Sequence, residues 1–266
     1  MTIPIALTIA GSDSSGGAGI QADLKTFAAL GVYGASVITA LTAQNTRGVS
    51  GIYPVPPEFV TAQMDAVFGD LDVRAVKIGM VAQLATIDAI AAALARWKPS
   101  HVVLDPVMIA TSGDRLLSAD AIASLRTKLI PHAVLITPNL AEAAALLDEE
   151  VASSEAAIAS QGTRLLLMGC PAVLIKGGHG QGPESTDYLF SANATIALPA
   201  PRILTNNTHG TGCSLSSAIA ALLARDEPME TAVRSAKAWI SAAIAAADRL
   251  DVGHGHGPVH HFHRFY

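Results

Sequence analysis

Cys213 stands in the run HGTGCSLSSA, where Gly210, Thr211 and Gly212 lead into an alanine-rich stretch with helical periodicity. A helix that starts there exposes unpaired backbone N–H groups, and its dipole favours an anion at the same point. The run matches neither the GxxxxGK[ST] phosphate loop nor a GxGxxG turn after a first strand, so a glycine turn capping an ordinary helix is the plain alternative. A thiol at a helix N-terminus should have its thiolate stabilised, which predicts a lowered pKa for Cys213. Cys170, in LLLMGCPAVLI, lies among apolar residues and reads as a buried packing residue.

Polar residues also end several apolar runs. Asp105 closes VVLDPVM and Glu142 lies in TPNLAE. Carboxylates so placed need a partner, water or a metal, and Mg²⁺ is commonly held by one or two carboxylates plus substrate phosphates. The simpler alternatives are a turn-forming Asp before Pro106 and a first-turn helical Glu. Asn139 offers a neutral polar group beside them. Lys176, in VLIKGGHG, can neutralise a phosphoryl group as a point charge or snorkel at the surface.

Gln44, in LTAQNTRG, carries an amide that donates and accepts side by side, which suits a heteroaromatic ring with an amino group next to a ring nitrogen. A loop glutamine satisfying backbone groups explains it equally. Met80 and Val107 are candidate apolar walls for such a ring, or core residues. The run AGSDSSGGAGIQADLKTF, with Gly11, Ala18 and Asp23, opens on flexible glycines and suits phosphate binding or a lid. His209 is placed to orient the glycine loop beside it. The tail GHGHGPVHHFHRFY holds five of the nine histidines but lacks a four-ligand metal spacing, so it reads as a surface or partly packed terminus.

These residues need elements to carry them. Residues 3–9, 36–41, 75–78, 101–104, 133–136 and 172–175 read as buried strands, several almost purely Val, Ile and Leu, as parallel strands covered on both faces are. Residues 21–29, 58–68, 85–97, 119–129 and 154–168 read as amphipathic helices, with Ser118 and Ser153 as N-caps. A hairpin is expected over 187–190 and 194–198, followed by helices over 214–225 and 229–249. The alternation predicts a three-layer α/β/α fold with a mostly parallel sheet. Without a linker-like stretch or internal repeat, 1–266 reads as one domain. Ligands of open α/β sheets bind beyond the carboxyl ends of the strands, where the residues above fall.

Composition narrows the partners. The net charge of −5 and the lack of a Lys/Arg-rich block argue against nucleic acid or an anionic membrane. No apolar run reaches the roughly 18 residues of a membrane span. Two cysteines, and no basic leader before the first apolar run, suit a reducing, cytoplasmic setting.

Taken together, GSDSSGGAGIQADLKTF and NTHGTGCSLSSAI, with AQNT, KIGM, DPVM, TPNLAE and KGGHG in order between them, closely resemble the hydroxymethylpyrimidine/phosphomethylpyrimidine kinases of thiamine biosynthesis. The resemblance spans nearly the whole chain and implies a ribokinase-like fold, ATP and Mg²⁺ as cofactors, and a homodimer. It implies two phosphorylations, of 4-amino-5-hydroxymethyl-2-methylpyrimidine and then of its monophosphate. On this resemblance Gln44, Asp23, Ala18, Gly11, Met80 and Val107 serve the pyrimidine, and Asn139, Lys176 and Thr211 the nucleotide. Asp105 and Glu142 serve Mg²⁺. Gly210, Thr211, Gly212 and Cys213 form the anion hole, with Lys176 beside it and Cys213 where sugar kinases of the superfamily carry an aspartate base. A pyridoxal kinase and a non-catalytic nucleotide- or pyrimidine-binding regulator are the competing readings. NAD-dependent oxidoreduction lacks its glycine spacing.

Overall fold

The computed structural model describes residues 3–108, 117–178 and 182–266; His179 and Gly180 of the KGGHG run lie outside them. β1 (Ile5–Ala10), α1 (Gly19–Ala29) and β2 (Tyr33–Ile38) form the first crossover, and the chain then leaves the sheet for a ribbon of β3 (Ala40–Asn45) and β4 (Gly48–Pro54). α2 (Pro57–Phe68), β5 (Val73–Ile78), α3 (Leu84–Trp97) and β6 (His101–Leu104) follow. Next come α4 (Ala119–Ser124), β7 (Leu135–Ile136), α5 (Leu140–Leu147), α6 (Glu155–Leu166) and β8 (Ala172–Ile175). β9 (Asp187–Ser191), β10 (Thr195–Leu198), α7 (Thr211–Ala224) and α8 (Met229–Ala245) complete the order.

The large sheet runs β10-β9-β8-β7-β6-β5-β1-β2, with parallel pairing except for β8–β9 and β9–β10 at one edge. Strand alternation divides its side chains between two faces. Leu7, Ile9, Val76, Ile78, Val102 and Leu104 join the core under α2 to α6. Ala6, Ala75 and Val103 meet α1, α7 and α8 on the other face. The small residues there let α7 lie close to the sheet, and it is buried on all sides from Ser214 to Ala224. Phe27 of α1 is fully covered on this face, a burial that contributes about 1.5–3 kcal/mol. The three-layer α/β/α expectation is met.

Several boundaries differ from the sequence reading. The second strand ends at Ile38 rather than running over 36–41, because Ala40 already belongs to the ribbon, where it pairs with Pro54. The ribbon lies largely outside the expected strands, which assign nothing from 42 to 54. β7 forms a ladder only at Leu135 and Ile136. The helix expected over 119–129 is α-helical for six residues, then widens into a π turn and tightens into a 3₁₀ turn ending at His132. Ser118 caps it as expected, through Ala121 N–H, but α6 is capped by Ser154 and not Ser153. The last helix ends at Ala245, with a 3₁₀ turn at Ala247–Arg249. α5 is not among the expected helices, but it realises the first-turn alternative for Glu142, which forms a reciprocal capping box with Asn139 at its start. Among the described residues no helix is long and apolar enough to cross a membrane.

Candidate active site

The parallel strands end at a cavity of about 770 Å³. Gly11, Ala18, Gln44, Met80, Asp105, Val107, Asn139, Glu142, Lys176 and all four residues 210–213 line it. Of the candidate site residues, Asp23 alone is missing from that lining.

The glycine loop is built as a helix start. Gly210 sits at φ 78°, and a Cβ there would lie 1.9 Å from the Gly17 carbonyl oxygen, so glycine is required. The first intrahelical bond runs from Ser214 N–H to Gly210 O, which leaves the Gly212 and Cys213 amides ahead of it for an anion. Thr211 turns its hydroxyl back to Thr208 O at 2.7 Å, so its side chain braces the turn. His209 fixes this loop to the first one through a 2.8 Å contact between Nε2 and Asp13 Oδ2. Asp13 also accepts N–H bonds from Ser15, Gly17 and Ala18. Burial works against its charge, yet the bonds from His209, Ser15 and Ala18 bring its pKa down to about 2. Asp13 went unnoticed in the sequence; its signal was an Asp followed by Ser-Ser-Gly-Gly, which folds the backbone around the carboxylate.

Lys176, just past β8, places Nζ 2.8 Å from Asp105 Oδ1 and 3.9 Å from Glu142 Oε2. Thr137 and Ser216 hydroxyls donate to the two Asp105 oxygens at 3.0 and 3.3 Å. Burial disfavours the Asp105 charge, but the Lys176 and Lys77 ammoniums outweigh it and hold its pKa below the usual carboxylate value. Burial dominates at Glu142 and pushes its carboxyl up, with Asp105 adding to the rise. Asn139 Oδ1 accepts from Glu142 N–H and Glu142 Oε2 from Asn139 N–H, both at 2.8 Å, so these two site residues also hold each other at the start of α5. Asp187 follows the same logic: Oδ1 takes the Gly177 N–H at 2.8 Å and Oδ2 pairs with Lys237 at 2.7 Å, fixing the turn after Lys176. Lys237 lines the cavity and was not anticipated.

Gln44 is held by its backbone, which exchanges two bonds with the Ser14 hydroxyl at 2.8 and 2.9 Å. Thr42 Oγ1 lies 3.2 Å from Gln44 Oε1. Gln44 Nε2 lies 3.5 Å from the same His209 nitrogen that meets Asp13 at 2.8 Å. The shorter contact, to a carboxylate, takes the imidazole proton, so the Gln44 amide finds no acceptor there and faces the cavity with its donor free. Met80 and Val107 flank this end, joined by Val49 and Ile52 of the ribbon, which were also not anticipated.

Two expectations are corrected. Asp23 is sealed beneath the cavity, its oxygens taken by Lys77 at 2.8 and 2.9 Å and by the Thr8 and Ser217 hydroxyls at 2.6 Å each. It faces the sheet from α1, and no ligand reaches it. The Cys213 thiol is pushed up and not down: burial outweighs the Lys77 charge and the Gly19 N–H bond that act in the other direction. Cys170 is buried as expected, with its pKa raised to about 11.

The donor set suits a divalent cation. Asp105 and Glu142 present hard oxygen ligands at the rim of the anion loop, where a Cβ on Gly212 would stand 3.4 Å from Lys176 Nζ and 3.7 Å from Asp105 Oδ2. Two carboxylates with a phosphate beside them are the usual ligands of Mg²⁺. An anion cradle, a lysine, two carboxylates and a ring-sized pocket on one cavity define a phosphate-handling α/β protein of ribokinase-like architecture.

The comparisons agree. A model of the phosphomethylpyrimidine kinase family matches residues 13–260. The hydroxymethylpyrimidine/phosphomethylpyrimidine kinase of Rhizobium meliloti is 60% identical over 262 residues, 98% of each chain. The phosphomethylpyrimidine kinase structure from Clostridium difficile superposes with a TM-score of 0.81 at 44% identity, over 91% of this chain and all of that one. An ADP complex of Bacillus subtilis pyridoxal kinase superposes with a TM-score of 0.92 at 32% identity, covering both chains fully. The chain belongs to the phosphomethylpyrimidine kinase family.

Proposed function

We propose that this chain, as one domain, uses ATP and Mg²⁺ to phosphorylate 4-amino-5-hydroxymethyl-2-methylpyrimidine to its monophosphate and then to the diphosphate, for thiamine biosynthesis in the cytoplasm. The observation that carries this reading is the convergence of the Gln44 amide, the anion loop and the Lys176–Asp105–Glu142 group on one cavity. The Gln44 amide reads the amino group and ring nitrogen, and Met80, Val107, Val49 and Ile52 cover the ring. Leu140, Val151, Ile203, Ile240 and Ile244, which also line the cavity, supply apolar surface for a nucleotide base. Bound Mg²⁺ would neutralise phosphate charge beside Asp105 and Glu142.

Phosphoryl transfer has a loose transition state, so positioning and charge neutralisation outweigh proton removal. The Gly212 and Cys213 amides receive the transferred group and Lys176 offsets its charge. Cys213 takes the hydroxyl proton late in the transfer from its thiolate form, which burial makes the minor form, and contributes about 10²–10⁴-fold. A homodimer is supported by the ribbon, where paired Leu41 and Tyr53 are exposed; sedimentation equilibrium would show a single-chain mass if this is wrong.

A coupled ADP-release assay with the pyrimidine alcohol, its monophosphate and pyridoxal tests the reading. Turnover of both pyrimidines above that of pyridoxal is expected, with kcat for Cys213→Ala lower by about 10²-fold or more. Preference for pyridoxal would reassign the substrate, absence of ADP release with all three would remove catalysis, and near-normal turnover by Cys213→Ala would remove the base.

A further inference from the structure

The glycine–histidine run near the C-terminus, unexplained by the site, makes a specific set of contacts. His254 and Gly255 N–H groups donate to Thr46 Oγ1 at 3.2 and 3.1 Å, and His256 N–H donates to Thr46 O at 2.8 Å. Thr46 lies in the turn joining β3 and β4, two residues from Gln44. The next tail residue, Gly257, accepts from His209 N–H at 3.0 Å and donates its own N–H to Asn207 Oδ1 at 3.0 Å. Adjacent residues of one strand of tail therefore bond the ribbon's tip and the anion loop.

The alternate glycines are what allow this approach. A Cβ on Gly253 would stand 2.4 Å from Thr46 Oγ1, on Gly255 2.1 Å from Thr46 O, and on Gly257 2.3 Å from Asn207 Oδ1. Gly253 also sits at φ 73°, where a side chain is strained. Beyond the run the chain is anchored, with Val259 fully buried and His261 Nε2 2.9 Å from Ser214 Oγ in the first turn of α7. His260 N–H adds a 3.0 Å bond to Ala243 O of α8. The ribbon needs such support because it forms a separate two-stranded sheet, an element only marginally stable alone.

We propose that residues 253–257 are a positioning strap that holds the ring-reading ribbon in register with the anion loop, and that Thr46 and Gly255 thereby set affinity for the heterocycle. The proposal rests on the substrate reading above. Thr46→Val keeps the shape of the side chain and removes the Oγ1 acceptor; Gly255→Ala drives a methyl into the Thr46 carbonyl. Amide hydrogen exchange of residues 44–50 in the ligand-free protein, the KM values for pyrimidine alcohol and ATP, and the unfolding midpoint are measured for each. Thr46→Val is expected to speed ribbon exchange and raise the pyrimidine KM about tenfold, the effect of one or two lost hydrogen bonds, with ATP KM and kcat within about twofold. Gly255→Ala is expected to do more; if it fails to fold, Thr46→Val decides. A lower unfolding midpoint with unchanged ribbon exchange and unchanged pyrimidine KM would overturn the proposal. Should the pyrimidine prove not to be the substrate, faster ribbon exchange would still uphold the strap, and unchanged exchange would remove it.

Discussion

Lys77 and Asp23 meet at 2.8 Å, and so do Lys176 and Asp105, yet the two pairs are built for different work. Both side chains of the first are 0% exposed, and Asp23 has its oxygens filled by Lys77, Thr8 and Ser217. The Lys176 side chain is 14% exposed, opens on the cavity, and has Glu142 at the edge of its reach. Removing charge from water costs several kcal/mol per ion, so a sealed pair persists only with a complete set of partners. Asp105 is bonded as fully, by Lys176, Thr137 and Ser216, and is held ionised, but its lysine opens on the cavity and Glu142 beside it is pushed toward its neutral form. What separates a structural charge pair from a ligand-handling one here is whether its lysine opens on the cavity, and not the residue types.

The largest effect should come from breaking the sealed pair. Lys77→Met leaves Asp23 buried without its cation and is expected to destabilise the fold by about 3–5 kcal/mol, read as a lower denaturant midpoint at constant m-value. The double variant Lys77→Met with Asp23→Leu should recover most of that loss. Unchanged stability in the single variant would show that the pair is not a closed unit.

A smaller effect lies in the anchored tail. Burial, followed by Lys25 and His260, lowers the His261 pKa to about 3, so the folded protein keeps it neutral. Between that value and an ordinary histidine pKa of about 6.5 the unfolded chain binds the extra proton, so stability is full above about pH 6.5 and falls with pH below it. Asp13, at about 2 in the fold, has its contribution eroded only below about pH 4. Replacing the side chain, as in His261→Asn, should therefore remove about 2 kcal/mol of the stability lost between pH 7.5 and pH 5. Equal pH slopes for the two proteins in urea unfolding would contradict this.

The part of the site that lies at strand ends was legible because parallel strands terminate along one edge, which gathers Asp105, Asn139, Glu142 and Lys176 whatever the details. Depth was not legible. Asp23 lies in the helix that follows a glycine loop, as a ligand residue can, and only the packing of α1 against α7, β2 and β1 turns it inward to Lys77. The lowered pKa expected of Cys213 used one local rule, the helix N-terminus, and burial overrode it. The ribbon carried a visible signal in the Asn45–Gly48 turn between short alternating runs, yet those runs cover no core and so lack the apolar density that marks a strand. The tail's glycines gained meaning only beside Thr46.

The contrast between the two pairs is tested most directly by kcat in the ADP-release assay for Lys176→Met set against the Lys77→Met, Asp23→Leu double variant. Lys176→Met leaves the buried Asp105 with Lys77 as its remaining cation, so it is expected to fold with reduced stability and to lose on the order of 10²–10³-fold in kcat, as when one preorganised charge-stabilising group is removed. The folded double variant should stay within about tenfold of the original kcat, the loss of a single distant field contribution. Near-normal turnover by Lys176→Met, or an equal collapse in the double variant, would contradict the account.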